Sequence, residues 1–155
     1  MSNPYTGILS IFSTQIRNGQ KINIFEDGNE SRDFVYIDDV VEFLLKSVEI
    51  NTNKPILNIG SGVSTSVLDV AKSLYLAFDA KANYEISGIV RKGDIRHNYA
   101  NLDNLLETYG PYSFTDFNVG INRFSKWVLK QPISKSKYEE SLRELESKGL
   151  LVENE

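Results

Sequence analysis

Residues 22–41 constrain the fold most, because two β-type runs, a polar turn and a helix start follow one another in INIFEDGNESRDFVYIDDVV. Asp27-Gly28-Asn29 is a turn signal, and the aromatic and β-branched residues 34–37 predict that a strand resumes after it. Asp38 is predicted to cap the following helix. The apolar stripe of that helix, at three- and four-residue spacing, is Val40, Val41, Leu44, Leu45 and Val48. The segment therefore predicts a strand, turn, strand and helix of an α/β protein.

Composition excludes several classes of function. The 155 residues fit one domain, and 41% hydrophobic with 25% charged residues is typical of a globular protein. Lys and Arg are scattered and the net charge is -4, so no basic patch for nucleic acid is expected. Without cysteine and with a single histidine, the chain offers no disulfide framework and no thiolate or multi-histidine metal site. No apolar run is long enough to span a membrane. We therefore expect a soluble, cytoplasmic protein that binds neither nucleic acid nor membranes.

The rest of the chain alternates short strands with amphipathic helices. The apolar spacing predicts helices over 8–16, from Ser64 or Ser66 to about Phe78, over 102–109 and from 115 or 116 onward, with strands over 56–59 and 84–87. We expect residues 1–133 to form the domain. Residues 134–155 carry a narrow apolar stripe among charged residues, which predicts a helical tail that frays or packs on a partner.

The glycines at positions 60 and 62 resemble a dinucleotide-binding turn only superficially. The third glycine of that motif would fall at Thr65, where close packing of helix on strand needs a glycine. No acidic residue follows at the end of a second strand to bind a ribose. We therefore predict that this turn is part of the scaffold and binds no NAD.

Four motifs in order carry a resemblance to a known family. They are the Arg-Asp-aromatic string at 32–41 after its Gly-containing turn, Leu57 to Gly62, Arg91 to His97, and a helix ending near Trp127. Together they resemble the C-terminal half of the extended short-chain dehydrogenases/reductases, the NAD-dependent nucleotide-sugar epimerases and dehydratases. The resemblance covers about residues 3–130. It implies an α/β fold, a small C-terminal substrate-binding domain of short strands flanked by helices, without the N-terminal Rossmann domain.

The resemblance also implies a site for a nucleoside diphosphate-sugar. Arg32 and Arg91 are then expected to bind the diphosphate, because a guanidinium donates paired N–H groups to phosphate oxygens. Asp94 is expected to accept hydrogen bonds from the ribose. The backbone groups of Asn23 and Phe25 are expected to meet the pyrimidine base, since a strand edge offers N–H and C=O in fixed alternation.

Other interpretations of these residues remain open from the sequence. Arg32 could equally be a solvated strand-edge residue, and Asp94 could simply pair with Arg91 or Arg96. Near the N-terminus, the amides of Gly7 and Ile8 start a helix, and the resemblance places such a helix start beside the diphosphate. A plain amphipathic helix fits these two residues as well.

No catalytic, cofactor-binding or metal-binding residue is predicted within the chain. His97 is expected to be a surface hydrogen-bonding residue, and Asp38 and Asp39 to serve as a helix cap. The family's Tyr-x-x-x-Lys pair is absent, since no tyrosine is followed four residues later by lysine. NAD therefore belongs to the parent enzyme and not to this fragment.

We expect an inactive C-terminal piece whose partner is the missing N-terminal Rossmann half. Residues 3–7 and 24–41 most resemble the deoxysugar 4-epimerase branch, with a dTDP-hexose such as dTDP-rhamnose as the first substrate candidate. Apolar surface left uncovered by the missing half predicts self-association. The alternative is a stand-alone, non-catalytic α/β interaction module whose arginine loops are solvated.

Overall fold

A computed structural model describes residues 7–49, 56–133 and 138–153. Within these ranges short strands alternate with helices, as predicted. The elements are α1 (Ile8–Arg17), β1 (Ile22–Ile24), β2 (Ser31–Asp33), α2 (Ile37–Glu49), β3 (Ser64–Ser66), α3 (Val67–Ala77), β4 (Tyr84–Ile86), β5 (Ile89–Arg91), β6 (His97–Asn98), α4 (Asp103–Tyr109), α5 (Phe117–Leu129), α6 (Tyr138–Ser147) and β7 (Leu151–Glu153). None of the helices described is long and apolar enough to cross a membrane.

The core lies where β1 meets α1 and α3. β1 pairs in parallel with β4, and the side chains of Ile22 and Ile24 are fully buried. α1 packs on β1 and α3, and α3 packs on α5. The other buried apolar residues of this core are Phe12, Ile16, Val70, Ala71, Leu74, Tyr75 and Ile121. Burial of these side chains from four elements provides the main stabilisation of the fold, since each contributes about 1.5–3 kcal/mol when fully buried.

A second sheet of three strands has the order β3, β2, β6. β3 runs antiparallel to β2, with Ser31 opposite Ser66, and β6 runs parallel to β2, with Ser31 opposite His97. His97 Nδ1 lies 2.9 Å from Ser31 Oγ. The exposed His97 is therefore a surface hydrogen-bonding residue, as predicted.

The C-terminal residues do more than form a helix. After α6, β7 pairs antiparallel with β5, with Arg91 opposite Leu151. The Lys92 amide also donates to the Leu150 carbonyl at 2.9 Å. β7 was not predicted, because its ladder depends on β5, which is distant in sequence. The predicted start of the tail at residues 134–137 lies outside the described residues.

Three local predictions were wrong. The second strand comes before the aromatic run, at Ser31–Asp33, and residues 56–59 form no strand because no ladder within the described chain pairs with them. α2 begins at Ile37, and the Tyr36 carbonyl accepts from the amides of Asp39 and Val40 at 3.1 and 3.2 Å. Asp38 therefore lies inside the helix and does not cap it.

Asp39 is also not a cap. It is buried, and its carboxylate accepts hydrogen bonds from the Tyr112 hydroxyl and the Thr115 amide, both at 3.0 Å. This contact holds the segment between α4 and α5 against α2. A long-range role of this kind is invisible to local helix-capping rules, because its partners lie more than seventy residues away.

Candidate functional site

The edge of β1 opposite β4 carries the first group of predicted site residues. The Ile22 amide donates towards the β4 side at 3.0 Å, and the Ile24 carbonyl accepts from that side at 2.9 Å. Because backbone groups alternate along a strand, those of Asn23 and Phe25 point to the opposite edge. Within the described residues no strand pairs with that edge. The Phe25 carbonyl closes the turn to Gly28 at 3.1 Å, which leaves the Phe25 amide and both backbone groups of Asn23 for another partner.

The side chain of Asn23 adds an unused acceptor. Its Oδ1 is buried and has no hydrogen-bond partner in the described part of the chain. A buried acceptor without a donor destabilises a protein by roughly 1–3 kcal/mol. A donor brought to this region would relieve that loss.

Arg32 does not lie at a sheet edge, and its side chain is 30% exposed. It lies in β2, the middle strand of its sheet, and its Nη2 donates to Asp94 Oδ1 at 2.9 Å. Its Nη1 donates to the carbonyls of Ser31 at 2.8 Å and Arg96 at 3.1 Å. The Ser31 amide donates to the Arg96 carbonyl at 2.9 Å. β2 therefore pairs with the segment before β6, and this pairing places the loop at residues 94–96 next to Arg32. The expectation that Asp94 pairs with Arg91 or Arg96 was therefore wrong, because its partner is Arg32.

Arg91 is in a different position. It ends β5, it is exposed, and its carbonyl accepts from the Asp94 amide at 3.2 Å in a turn that contains Gly93 with φ +80. Within the described residues its guanidinium has no hydrogen bond or ion pair. Of these two arginines, Arg32 is paired with Asp94, whereas Arg91 has no carboxylate partner within the described residues.

The loop that carries Asp94 is fastened to the turn after β1. Arg96 pairs with Glu26, and its Nη2 lies 2.6 Å from Asp27 Oδ2. Hydrogen bonds from Asn29 and then from Arg96 lower the pKa of Asp27 to about 2. The Glu26 amide also donates to the Ile89 carbonyl at 2.9 Å, two residues before Arg91. The turn after β1 and the arginine loop are therefore neighbours.

Gly7 and Ile8 lie on a separate element. Gly7 is the residue before α1, with φ -62, and its carbonyl accepts from the Ser10 amide at 3.0 Å. No acceptor is bonded to the amides of Gly7 and Ile8 in the part of the chain described. No hydrogen bond in that part joins them to the arginine loop, so their diphosphate role stays a prediction.

Sequence reasoning missed the role of Asp33. Its carboxylate accepts from the Ser61 amide at 2.7 Å, the Ser61 hydroxyl at 2.6 Å, the Gly62 amide at 2.9 Å and the Ala100 amide at 3.2 Å. Burial raises the pKa of Asp33, but these hydrogen bonds outweigh it and hold the pKa below its ordinary value. A Cβ added at Gly60 would lie 2.5 Å from Asp33 Oδ2, so only glycine fits there. The Gly-containing turn is a scaffold element, and no local signal pointed from Asp33 to it.

The structure also contains an open cavity of about 500 Å³ beside this turn. It is lined by Gly62, Tyr99, Ala100, Asn101, Leu102 and Asp103. None of the predicted nucleotide-binding residues lines it. The predicted site is instead the surface formed by the β1 edge and the arginine loop.

Comparison with known proteins gives the class of protein. Residues 2–60 match the model of the NAD dependent epimerase/dehydratase family. The dTDP-L-rhamnose 4-epimerase of Burkholderia thailandensis is 33% identical over 132 residues, which are 84% of this chain and 36% of that protein. A putative UDP-glucose 4-epimerase of Methanocaldococcus jannaschii is 34% identical over 79% of this chain and 39% of its own length.

Solved structures agree with these matches. The UDP-glucose 4-epimerase of Thermotoga maritima, with UDP-glucose, superposes with a TM-score of 0.69 at 30% identity over 83% of this chain and 41% of that one. The UDP-N-acetylglucosamine 4-epimerase of Methanobrevibacter ruminantium, in complex with UDP-N-acetylmuramic acid, gives a TM-score of 0.73 at 25% identity over 84% and 42%. The chain belongs to the NAD-dependent epimerase/dehydratase family, which confirms the resemblance. It spans about two-fifths of the length of these relatives, with the α/β fold of part of an extended short-chain dehydrogenase/reductase.

Proposed function

We propose that this chain is the substrate-binding portion of an NAD-dependent nucleotide-sugar 4-epimerase, with a dTDP-hexose as the first substrate candidate. The observation that carries the proposal is that the turn following the open β1 edge joins the loop that presents Arg91, since the Glu26 amide binds the β5 carbonyl of Ile89. A nucleotide laid along this junction would meet backbone donors and acceptors at one end and a free cation at the other.

The base is read by the strand edge. Uracil and thymine both present an N3–H between two carbonyls, and the backbone groups of Asn23 with the Phe25 amide offer acceptors and donors of matching kind. Such an edge does not distinguish the two bases, because the thymine methyl lies away from the N3–H. Relatives named for dTDP- and UDP-sugars are both similar to this chain, which supports an edge that accepts either.

The diphosphate is bound mainly by Arg91 and secondarily by Arg32. Arg91 has a free guanidinium, whereas Arg32 uses three of its N–H groups on Ser31, Arg96 and Asp94. A guanidinium has five N–H donors, so about two remain on Arg32 for a phosphate oxygen. Asp94 accepts from Arg32 and from the Ile95 amide through Oδ1, and its other carboxylate oxygen would accept from a ribose hydroxyl.

Catalysis and NAD binding come from residues outside this chain. The chain has no Tyr-x-x-x-Lys pair, and the amide of Gly62 in the Gly-containing turn already donates to Asp33. When bound elsewhere in the whole enzyme, NAD would supply the hydride chemistry. The chain alone is expected to change no sugar and to bind no NAD at micromolar concentration in calorimetry.

The missing half is expected to cover α2. Five apolar side chains of this helix are exposed: Ile37, Val41, Leu44, Leu45 and Val48. Exposed apolar surface of this continuity marks an interaction site. By itself the same face would also suit a stand-alone interaction module, so nucleotide binding is the property that distinguishes the two functions.

Amide NMR of the 155-residue chain tests the proposal without requiring high affinity. dTDP and UDP are titrated to millimolar concentration, with ADP as a purine control. We expect saturable shifts at Asn23, Phe25, Arg91 and Asp94 with the pyrimidine nucleotides. Arg91→Ala should weaken binding by roughly ten- to a hundred-fold, because a charge-assisted contact is worth about 1.5–3 kcal/mol.

Lys126→Ala is the matched control, because it removes one exposed cation from α5. It should bind dTDP like the original chain. Scattered, unsaturable shifts, or equal affinity in Arg91→Ala and Lys126→Ala, would contradict the proposal and favour the interaction module.

A further inference from the structure

The turn after β1 contains a group of three carboxylates. Glu26, Asp27 and Glu30 each place an oxygen within 4.8 Å of the others. No spacing rule for thiolate or imidazole ligands points to these three residues. Acidic groups on a surface turn are common, and proximity alone does not make a site.

Glu30 differs from its neighbours because it is buried. Only 8% of the residue is exposed, and neither carboxylate oxygen has a hydrogen-bond donor within the described chain. Its position is fixed, since its backbone carbonyl accepts from the Val67 amide at 2.8 Å and the nearby Gly28 carbonyl accepts from Leu68 at 3.0 Å. The side chain therefore places at least one of its two unsatisfied oxygens in the acidic group.

The charge of the group is not balanced by protein. Arg96 pairs with Glu26 and with Asp27 but not with Glu30. Three carboxylates and one guanidinium leave two negative charges, which equal the charge of one divalent cation. A buried carboxylate without a partner is strongly unfavourable, so it requires a proton or a cation.

We propose that the turn at residues 26–30 binds one divalent cation, Ca²⁺ in the first instance, through the carboxylates of Glu26, Asp27 and Glu30. Carboxylate oxygens are the ligands of hard cations, and Ca²⁺ bonds oxygen at about 2.3–2.6 Å in irregular geometry with water completing the shell. Oxygens on opposite sides of such an ion lie up to about 5 Å apart. The oxygens of the three carboxylates lie within 4.8 Å of one another, which is compatible with that separation. Mg²⁺ fits less well, because it demands near-octahedral geometry.

The cation would fasten the turn that joins β1 to the arginine loop. Glu26 binds Arg96 through its carboxylate and Ile89 through its amide, so an ion on Glu26 would restrain both segments. This proposal is independent of nucleotide binding, because it depends only on Glu26, Asp27 and Glu30.

The test is calorimetric titration of CaCl₂ into the EDTA-treated 155-residue chain, with MgCl₂ and NaCl in parallel and thermal unfolding as a second readout. We expect one saturable Ca²⁺ site and a higher Tm with Ca²⁺. Glu30→Gln should weaken Ca²⁺ binding by at least about tenfold, since it removes one charged ligand without changing the size of the side chain. Glu140→Gln makes the same charge change on exposed α6 and should bind like the original chain.

In EDTA, Glu30→Gln should melt no lower than the original chain, because the amide can donate to Glu26 and no buried charge remains. If that variant does not fold, Asp27→Asn replaces it, with the same expected loss of affinity. Absence of saturable Ca²⁺ binding at millimolar concentration would overturn the proposal. Equal Ca²⁺ affinity in the ligand variant and in Glu140→Gln would also overturn it.

Discussion

Two helices with similar apolar spacing, α2 and α3, have opposite surroundings. On α3, Val70 and Leu74 are fully buried against α1, α5 and β1. On α2, Leu45 is 65% and Val48 is 85% exposed. The periodicity of each sequence predicts one apolar face. The difference shows that periodicity identifies the face but not the element that covers it.

α2 is anchored on its other side. Phe43 is buried, and its ring centroid lies 5.5 Å from that of Tyr109, 4.7 Å from that of Tyr112 and 5.7 Å from that of Phe114. Ring pairs at these separations contribute about 0.5–1.5 kcal/mol each beyond the burial of their area. The three ring contacts of Phe43 therefore help to hold α2 in place while its aliphatic face stays open.

The sharpest test of the contrast is Leu74→Ala on α3. Leu74 is fully buried, so its truncation should lower the free energy of unfolding by about 2–5 kcal/mol through lost transfer energy and a cavity. Leu76→Ala on the same helix is the matched control, because Leu76 is 83% exposed. Urea unfolding of both variants measures the difference. Equal losses would mean that α3 is not packed as described.

The partly buried hydrogen bonds of Asp33 should also contribute measurably to stability. Asp33→Asn should lower the free energy of unfolding by roughly 1–3 kcal/mol. The reason is that the amide nitrogen of Asn would face the donors of Ser61 and Gly62 and could not accept from them. The folded pKa of Asp33 lies below its ordinary value of 3.8, so its stabilisation is present above that pH and is lost as pH falls through the folded pKa.

The comparison of Asp33→Asn with the original chain is made by unfolding at pH 7 and again at low pH. We expect the gap in unfolding free energy to narrow as the solution is acidified below the ordinary pKa of an aspartate. A gap that is constant with pH would show that the charge of Asp33 does not matter to the turn.

Local features of this fold could be predicted from the sequence. The end of α1 has Asn18 as its C-cap and Gly19 at φ +66, as the Asn-Gly signal predicts. The Ser66 hydroxyl accepts from the Asp69 amide at 3.0 Å, as expected for a capping serine. Asp116 likewise caps α5. These signals succeed because the partners are a few residues apart, so the sequence itself contains both halves of the interaction.

Features that join distant segments could not be predicted. The Arg32–Asp94 pair and the β5–β7 ladder depend on which loops the fold brings together. The strand expected at residues 56–59 had the right composition but no neighbouring strand within the described chain. For the site, the resemblance supplied Arg91 and the β1 edge, whereas the buried Glu30 emerged only from its surroundings.

An intermediate effect is expected where α2 meets the segment before α5. The Tyr112 hydroxyl donates to Asp39 Oδ1 at 3.0 Å or to Glu42 Oε2 at 2.8 Å. Tyr112→Phe should therefore lower the free energy of unfolding by about 1 kcal/mol, the net value of a typical hydrogen bond. Tyr99→Phe is the control, because Tyr99 is largely exposed. A loss as large as that of Leu74→Ala would show that this contact, and not the core, limits stability.

The smallest effect on stability is expected on the open face of α2, at Leu45. Because Leu45 is exposed in this chain, Leu45→Ala should change the free energy of unfolding by less than about 0.5 kcal/mol. Association should respond instead, since the exposed stripe is apolar. Leu45→Glu should shift the chain towards monomer in sedimentation at high concentration and reduce binding of a hydrophobic dye, whereas Leu76→Glu on α3 should do so less, because Leu76 lies outside the stripe. If the original chain is already a clean monomer that binds no dye, the face of α2 needs no cover and its contrast with α3 has no consequence for assembly.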